Sequence, residues 1–262
     1  MKLFFKSAKI CEICGLKRLL DMVCSFFGLL ALSPLLIPVM ILVWLQDFHS
    51  PFYIAPRVGK NERIFKMIKL RSMMMNADKC GVDSTSCNDS RITPIGHFVR
   101  KFKLDEFTQL WNVLKGDMSL VGPRPNVKRE TDLYTQVERG LLSVKPGITD
   151  FSSIVFSDEN DILKDSKDPD IDYNQLIRPW KSRLGLLYVK RQSFLLDCAL
   201  VLLTVLAIVS REKALWGVNR LLMLLDAPVD VIRVSKREEP LVPYPPPGAD
   251  TVVTSRSADY AD

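Results

Sequence analysis

From Met22 to Leu45 the chain reads MVCSFFGLLALSPLLIPVMILVWL, an apolar run without a single charge. As one straight helix this run extends about 36 Å, enough to cross a hydrocarbon core of about 30 Å. It is too long for a cleaved signal peptide and lacks an A-x-A ending. Ser33-Pro34 stands at its middle and Pro38 one turn later. Proline removes a backbone N–H and clashes with the preceding turn, so a bend is predicted there. The Ser33 hydroxyl is placed to satisfy a carbonyl that such a bend frees. Each half would then reach about 18 Å, roughly the depth of one leaflet. Lys9, Lys17 and Arg18 precede the run, and Arg57, Lys60, Arg63, Lys66, Lys69 and Arg71 follow it. A single crossing should show cationic bias on one side only, so the pattern leaves crossing and re-entry both open.

Beyond this run, FYIAPRVGKNERIFKMIKLRS (52–72) predicts two short strands around a GKNE turn. Residues 76–91 are polar and read as a loop. Apolar positions at Phe98, Val99, Phe102, Leu104, Phe107, Leu110, Trp111 and Leu114 are spaced for a helix, interrupted between Phe102 and Asp105. Phe107 and Trp111 read most simply as core. VGPRP (121–125) can be neither helix nor inner strand, since Pro123 and Pro125 restrict the backbone on both sides of Arg124. Helix is predicted for 127–142 and for about 172–190, and a turn followed by a strand-like run for 145–160. Phe194–Val209 is apolar except for Asp197 and a few small or polar residues, too short to span. It reads as a helix buried or lying at the membrane interface. From Glu238 the chain is rich in proline and small polar residues, a composition that predicts disorder.

Lys and Arg number 36 against 30 Asp and Glu, a net charge of +6 in 262 residues. The resulting pI near 9.0 suits an anionic partner: a phosphorylated substrate, a phospholipid surface or nucleic acid. Six cysteines and two histidines give no complete zinc pattern, and Cys11 and Cys14 form a lone CxxC. They read as free thiols of a reducing compartment.

RKFKLDEFTQLWN (100–112) sets Asp105 and Glu106 side by side after Arg100, Lys101 and Lys103. Acidic residues in a first helical turn commonly serve free N–H groups and the helix dipole. Cations nearby change the picture, because a carboxylate among them stays ionised and is a competent nucleophile. The same field holds phosphates, and arginines with a divalent ion relieve repulsion between a carboxylate and a diphosphate. Carboxylate oxygens favour magnesium as that ion.

Taken in order, KRLLD (17–21), the Ser33-Pro34 run, RVGKNERIFKMIKLRSM (57–73), KLDEFTQLWNVLKGDMSLVGPRP (103–125), KPGIT (145–149) and YVKRQSFLLD (188–197) resemble the bacterial sugar transferases. These are monotopic phosphoglycosyl transferases, and the resemblance covers about Lys17 to Ser210. It implies an α/β, mostly helical fold: a small cytoplasmic catalytic domain on a re-entrant N-terminal membrane helix broken at Ser33-Pro34, with interfacial helices. On that reading 1–16 is an N-terminal tail, 17–48 the re-entrant helix, 49–212 the catalytic domain including interfacial helix 194–209, and 213–262 an extension disordered from about 238. The resemblance implies that Asp105 attacks the β-phosphate of a UDP-sugar and releases UMP. The phosphosugar then passes to polyprenyl phosphate, the first membrane step of a glycan such as exopolysaccharide, capsule or O-antigen. Glu106 is implied in handling Mg²⁺, with Asp105, or in activating the acceptor, while Lys69, Arg100 and Arg124 bind phosphate. The implied location is the inner face of a bacterial plasma membrane in contact with lipid. Oligomeric state is left open, a homodimer included.

Two departures stand out. Lys103 replaces the serine or threonine that many members have before LDE, and Asp150-Phe151-Ser152-Ser153 replaces Gly-Trp-Ala-Gln after PGIT. Both fall near positions expected to meet donor, so the sugar does not follow by analogy. A membrane-anchored basic scaffold or nucleic-acid-binding protein is the competing class. The cations of 57–71 do not interleave with stacking aromatics, and no helix-turn-helix or RNP-like pattern occurs, so no nucleic-acid partner is expected.

Overall fold

The computed structural model describes residues 2–77 and 89–255, with side chains from Gly15 onward. The side chains of Cys11 and Cys14, the loop around Cys80 and Cys87, and the last seven residues lie outside the described part; Cys24 and Cys198 are free thiols.

Helix α1 runs from Lys2 to Leu45 and passes through Pro34 and Pro38 without a gap. The expected break is therefore not a loss of helical structure. Pro34 cannot bond the Leu30 carbonyl, and the Ser33 hydroxyl takes it instead at 2.7 Å. Gly15–Leu45 is long and apolar enough to cross a membrane by length and composition. Phe26, Phe27, Leu30, Ile37, Ile41 and Trp44 leave this helix exposed on its outer side.

The inner side of α1 is tied down by its charged start. Lys17 Nζ donates to Asp197 (2.6 Å), the Tyr188 hydroxyl (2.9 Å) and the Val121 carbonyl (3.0 Å). Asp21 accepts from the Leu120 N–H at 2.9 Å and from the Ser119 hydroxyl at 3.1 Å. Arg18 caps the C-terminal carbonyls of Val113 and Leu114 at 2.5 and 2.7 Å. KRLLD is thus the clasp that joins α1 to the rest of the fold. Further along, Leu36, Val39 and Val43 pack with Leu70, Val99 and Leu104 in a core of their own.

Strands β1 (Phe52–Val58) and β2 (Ile64–Leu70) pair antiparallel around a 3₁₀ turn at Lys60–Glu62, as the alternation predicts. The interrupted helical pattern becomes α2 (Pro94–Lys101), α3 (Leu104–Phe107) and α4 (Leu110–Lys115). Trp111, expected in the core, is 53% exposed. Strand β3 (Ser119–Val121) lies parallel to β4 (Gly147–Thr149), with Gly122 and Gly147 in close approach. A Cβ on Gly147 would stand 2.1 Å from the Gly122 nitrogen, so the two loops nest only because both are glycine.

Helix does not fill 127–142. It forms α5 (Lys128–Asp132) and then, after a break, a 3₁₀ turn at Glu138–Ser143. Thr135-Gln-Val-Glu138 is a capping box: the Glu138 N–H donates to the Thr135 hydroxyl oxygen and the Thr135 N–H to Glu138 Oε2, each at 3.1 Å. That box restarts the chain and overrides the periodicity. The strand-like stretch after Thr149 is also helical, as α6 (Phe151–Val155) and α7 (Glu159–Ile162). Asp150 is the reason, since its carboxylate accepts from the Ser153 N–H at 2.8 Å and starts α6 against the β-propensity of Ile154-Val155-Phe156.

Next come α8 (Pro169–Asp172), a π-helical turn at Tyr173–Ile177, α9 (Arg178–Arg191) and α10 (Phe194–Val209). Helix α10 buries Leu196, Asp197 and Leu200 and exposes Leu195, Leu202, Val205, Ile208 and Val209. Two helices with no counterpart in the sequence reading follow, α11 (Arg211–Leu224) and α12 (Val229–Ser235). Disorder was expected from about 238, yet the segment lies against the domain as far as Ser255. Pro246, Pro247 and Val253 are buried, and Tyr244 stacks on Trp180. Proline pre-sets an extended backbone and has no N–H to satisfy, so such a strip packs at low entropic cost.

Candidate active site

The site grows from the β2 edge. Asn112, fully buried, accepts from the Ile68 N–H at 2.9 Å and donates to the Lys66 carbonyl at 2.7 Å. Thr108, one helical turn earlier, donates to the Ile68 carbonyl at 3.2 Å. These bonds continue the hairpin's ladder with helix side chains and lock α3 and α4 against β2. Leu104, 2% exposed, pins α3 from the other side into the core made with α1. Lys103, the departure before LDE, takes the left-handed conformation that turns the chain from α2 into α3, with φ of 51°.

Asp105 and Glu106 then project into a cleft of about 390 Å³. Lys69, Arg100 and Arg124 line the same cleft, so all five residues named from the sequence come together. Lys69 Nζ lies 3.9 Å from Asp105 Oδ2. Arg124 Nη2 donates to Glu106 Oε1 at 2.8 Å and Nη1 to Oε2 at 3.3 Å. Arg100 donates to the Ser72 hydroxyl at 3.1 Å and acts on Asp105 through its charge. Ser33 and Pro34 lie away from this group, inside α1.

The acidic neighbours are electrostatically unequal. Burial pushes the Asp105 carboxyl up, with Lys69 opposing and Glu106 adding to the rise. Burial also favours neutral Glu106, but the charge and hydrogen bonds of Arg124 outweigh it and hold Glu106 at about 2. Burial lowers Lys69, and Asp105 counteracts that. Glu106 is thus a fixed anion already committed to an arginine, while Asp105 is the more basic carboxylate.

Sequence reasoning missed Arg57, which sits on the same hairpin face as Lys69 and lines the cleft. The two-residue alternation of β1 and β2 carried that signal. It also missed Gln109, Tyr173, Arg178 and Lys181, contributed by helices whose cleft-facing positions no short motif marks. Asp158 pairs with Arg211 at 2.8 Å and Arg237 at 3.2 Å, whereas Glu159 and Asn160 reach the cleft wall. Of the departures after PGIT, Asp150 bonds Ser152 and Ser153, and all three line the cleft.

A second cavity, of about 920 Å³, also has Asp105 in its lining. Arg57, Lys69, Arg100 and Asp105 belong to both cavities. Its further lining is more apolar, with Phe52, Ile54, Ile64 and Met73-Met74-Met75. Asp105 therefore stands where a polar cleft and a largely apolar one meet over shared cations.

The family model of the bacterial sugar transferases matches residues 13–211. The chain belongs to the bacterial sugar transferase family. It is accordingly an enzyme of the sugar-transferase class. The chain is 38% identical over 161 residues to the exopolysaccharide production protein ExoY of Sinorhizobium fredii, covering 56% of this chain and 70% of that protein. It is 36% identical over 217 residues to the undecaprenyl-phosphate galactose phosphotransferase of Salmonella typhimurium, and 34% over 217 residues to the UDP-galactose-lipid carrier transferase of Erwinia amylovora. Those matches take in 76% of this chain but only 41% of each of the two longer proteins.

Proposed function

We propose that this sugar transferase moves a sugar 1-phosphate from a UDP-sugar to polyprenyl phosphate through a covalent phosphosugar on Asp105. The position of Asp105 on the wall common to a polar and an apolar cavity carries this reading. The polar cleft suits a nucleotide sugar and the apolar one a lipid phosphate, so one nucleophile serves two substrates in turn. The names of the Salmonella and Erwinia relatives support a lipid-linked acceptor, and the latter a UDP-galactose donor.

In the first half-reaction an Asp105 oxygen attacks the β-phosphorus, and the bond from that phosphorus to the bridging oxygen breaks. The bridging oxygen leaves with UMP and carries the electron pair. In the second, a phosphate oxygen of the acceptor attacks the same phosphorus, and the bond to Asp105 breaks to restore the carboxylate. Seven cationic side chains line the cleft against five carboxylates, and Arg57, Lys69, Arg100 and Arg124 among them supply the positive field that a diphosphate needs. Arg124, by engaging Glu106, keeps that neighbour from repelling phosphate as a bare anion.

Asp105, and Glu106 through the lone pairs that Arg124 leaves free, offer the hard oxygen donors that suit magnesium, which commonly binds through one or two carboxylates together with substrate phosphates and water. Among the described residues no group of three or more His, Cys, Asp or Glu is placed to hold a metal, so an ion here would rely on substrate phosphates and water besides these carboxylates. Bound there, the ion would neutralise diphosphate charge.

Membrane attachment in this reading is monotopic, with α1 dipping into the cytoplasmic leaflet and α10 lying in the interface. The exposed apolar residues of both helices, and exposed Phe98, Phe102 and Trp111 close in sequence to the acidic pair, support a lipid-facing side. Labelling of Cys11 and Cys80 in sealed vesicles tests this: reagent reaching both from the same side fits re-entry, and opposite sides mean a crossing. The reaction is tested by a UMP-release screen of membrane-bound protein over a panel of UDP-sugars, with and without Mg²⁺. Release that needs both a particular sugar and Mg²⁺ is expected; no release with any sugar contradicts the reading.

A further inference from the structure

The family match ends at residue 211, yet the chain beyond it packs against the elements that carry one wall of the cleft. The wall includes Tyr173, Arg178 and Lys181, all set by the π-helical turn Tyr173–Ile177 and the start of α9. Arg178 is held from within by Glu138, and Lys181 pairs with Glu159 at the cleft. A π turn is rare, mostly a single-turn bulge within a helix, and is frequently found at functional sites.

The proline-rich tail contacts this turn directly. The Tyr244 N–H donates to the Gln175 carbonyl at 3.0 Å, and the Gln175 side chain donates to the Val253 carbonyl at 2.6 Å. Gln175 is the middle residue of the π turn, so the tail grips it by backbone and side chain together. The Tyr244 ring lies 4.5 Å from that of Trp180, between centroids, with planes 32° apart. Arg183 closes the stack, its guanidinium 4.7 Å from the Tyr244 ring while Nη1 donates to the Pro245 carbonyl at 2.9 Å. Thr135 then bonds the Pro247 carbonyl beside the capping box that orients Glu138 toward Arg178.

We propose that the tail is a strap and Tyr244 its positioning residue: the ring, stacked with Trp180 and Arg183, fixes the π turn so that Tyr173 and Lys181 present a preformed wall to the nucleotide sugar. The proposal rests on reading this cleft as the donor site. Tyr244 touches no substrate. It acts through α9, and its ring contacts rather than its hydroxyl do so, which makes phenylalanine an adequate substitute.

The test uses the full chain in membranes or nanodiscs and two readouts. Hydrogen exchange at the amides of 173–181 should quicken in Tyr244→Ala and stay as in the wild type in Tyr244→Phe. With whichever UDP-sugar releases UMP, the donor KM of Tyr244→Ala should rise about tenfold while kcat stays within about twofold, and Tyr244→Phe should restore it. A lower yield of folded enzyme cannot mimic this, because KM does not depend on the active fraction. Tyr244→Leu keeps bulk without stacking and must shift both readouts the same way if Tyr244→Ala does not fold. Unchanged exchange at 173–181 overturns the strap even if no sugar is turned over. An unchanged donor KM overturns its role in binding. Wild-type protein that releases no UMP would instead contradict the proposed reaction and leave the exchange result to decide the strap.

Discussion

Arg124 holds both carboxylate oxygens of Glu106, at 2.8 and 3.3 Å, and leaves the neighbouring Asp105 facing Lys69 at 3.9 Å. Adjacent residues of the same chemistry are thereby given different work. The Pro123 and Pro125 restraints explain how: they present Arg124 on a stiff turn, so its fork meets Glu106 without a search. Arg124→Lys keeps the charge and loses the fork. At about 1.5–3 kcal/mol for a charge-assisted pair, kcat/KM should fall about ten- to a hundredfold in steady-state UMP release.

The pH profile should show which carboxylate reacts. Burial raises Asp105, so the acid limb of kcat/KM should lie above the ordinary aspartate value of about 3.9. Lys69→Met removes a cation that lowers Asp105 and should move the limb to higher pH. Glu106→Gln removes a like charge that raises it and should move the limb to lower pH. Shifts in the reverse directions would detach the limb from Asp105.

Stability should respond to acid through the other carboxylate. Glu106 sits at about 2 in the fold against an ordinary 4.5, so its contribution is full above 4.5 and is lost as pH falls toward 2. Arg124→Met removes the cause. Denaturation measured at a series of pH values should find the gap between wild type and this variant narrowing below 4.5.

The Glu138–Arg178 pair, at 2.6 Å and almost wholly buried, braces the cleft wall away from the chemistry. Glu138→Ala leaves the guanidinium without its carboxylate in a dry site. A loss of about 3–5 kcal/mol in chemical denaturation is expected.

The site's centre was legible because it lies in contiguous motifs: a helix start with LDE, a Pro-Arg-Pro turn, and a strand with Lys69 next to its last residue. The hairpin was legible for the same reason, a two-residue alternation around a polar turn. What escaped depended on long-range contacts. Asp150 and the Thr135–Glu138 box override local propensity through single hydrogen bonds that periodicity does not register. The tail's order comes from Tyr244 meeting Trp180, residues far apart in sequence, while its composition alone reads as disordered. Trp111 shows the converse: a helical spacing marks one apolar face without saying whether the rest of the protein covers it.

The most direct measurement is the intact mass of the protein after brief exposure to its UDP-sugar and Mg²⁺, with no acceptor lipid. The account predicts an added sugar phosphate mapped to Asp105, equimolar UMP, loss of the adduct when polyprenyl phosphate is added, and no adduct in Asp105→Asn. Turnover to polyprenyl diphosphate sugar with no adduct at any time, or full turnover by Asp105→Asn, would contradict it.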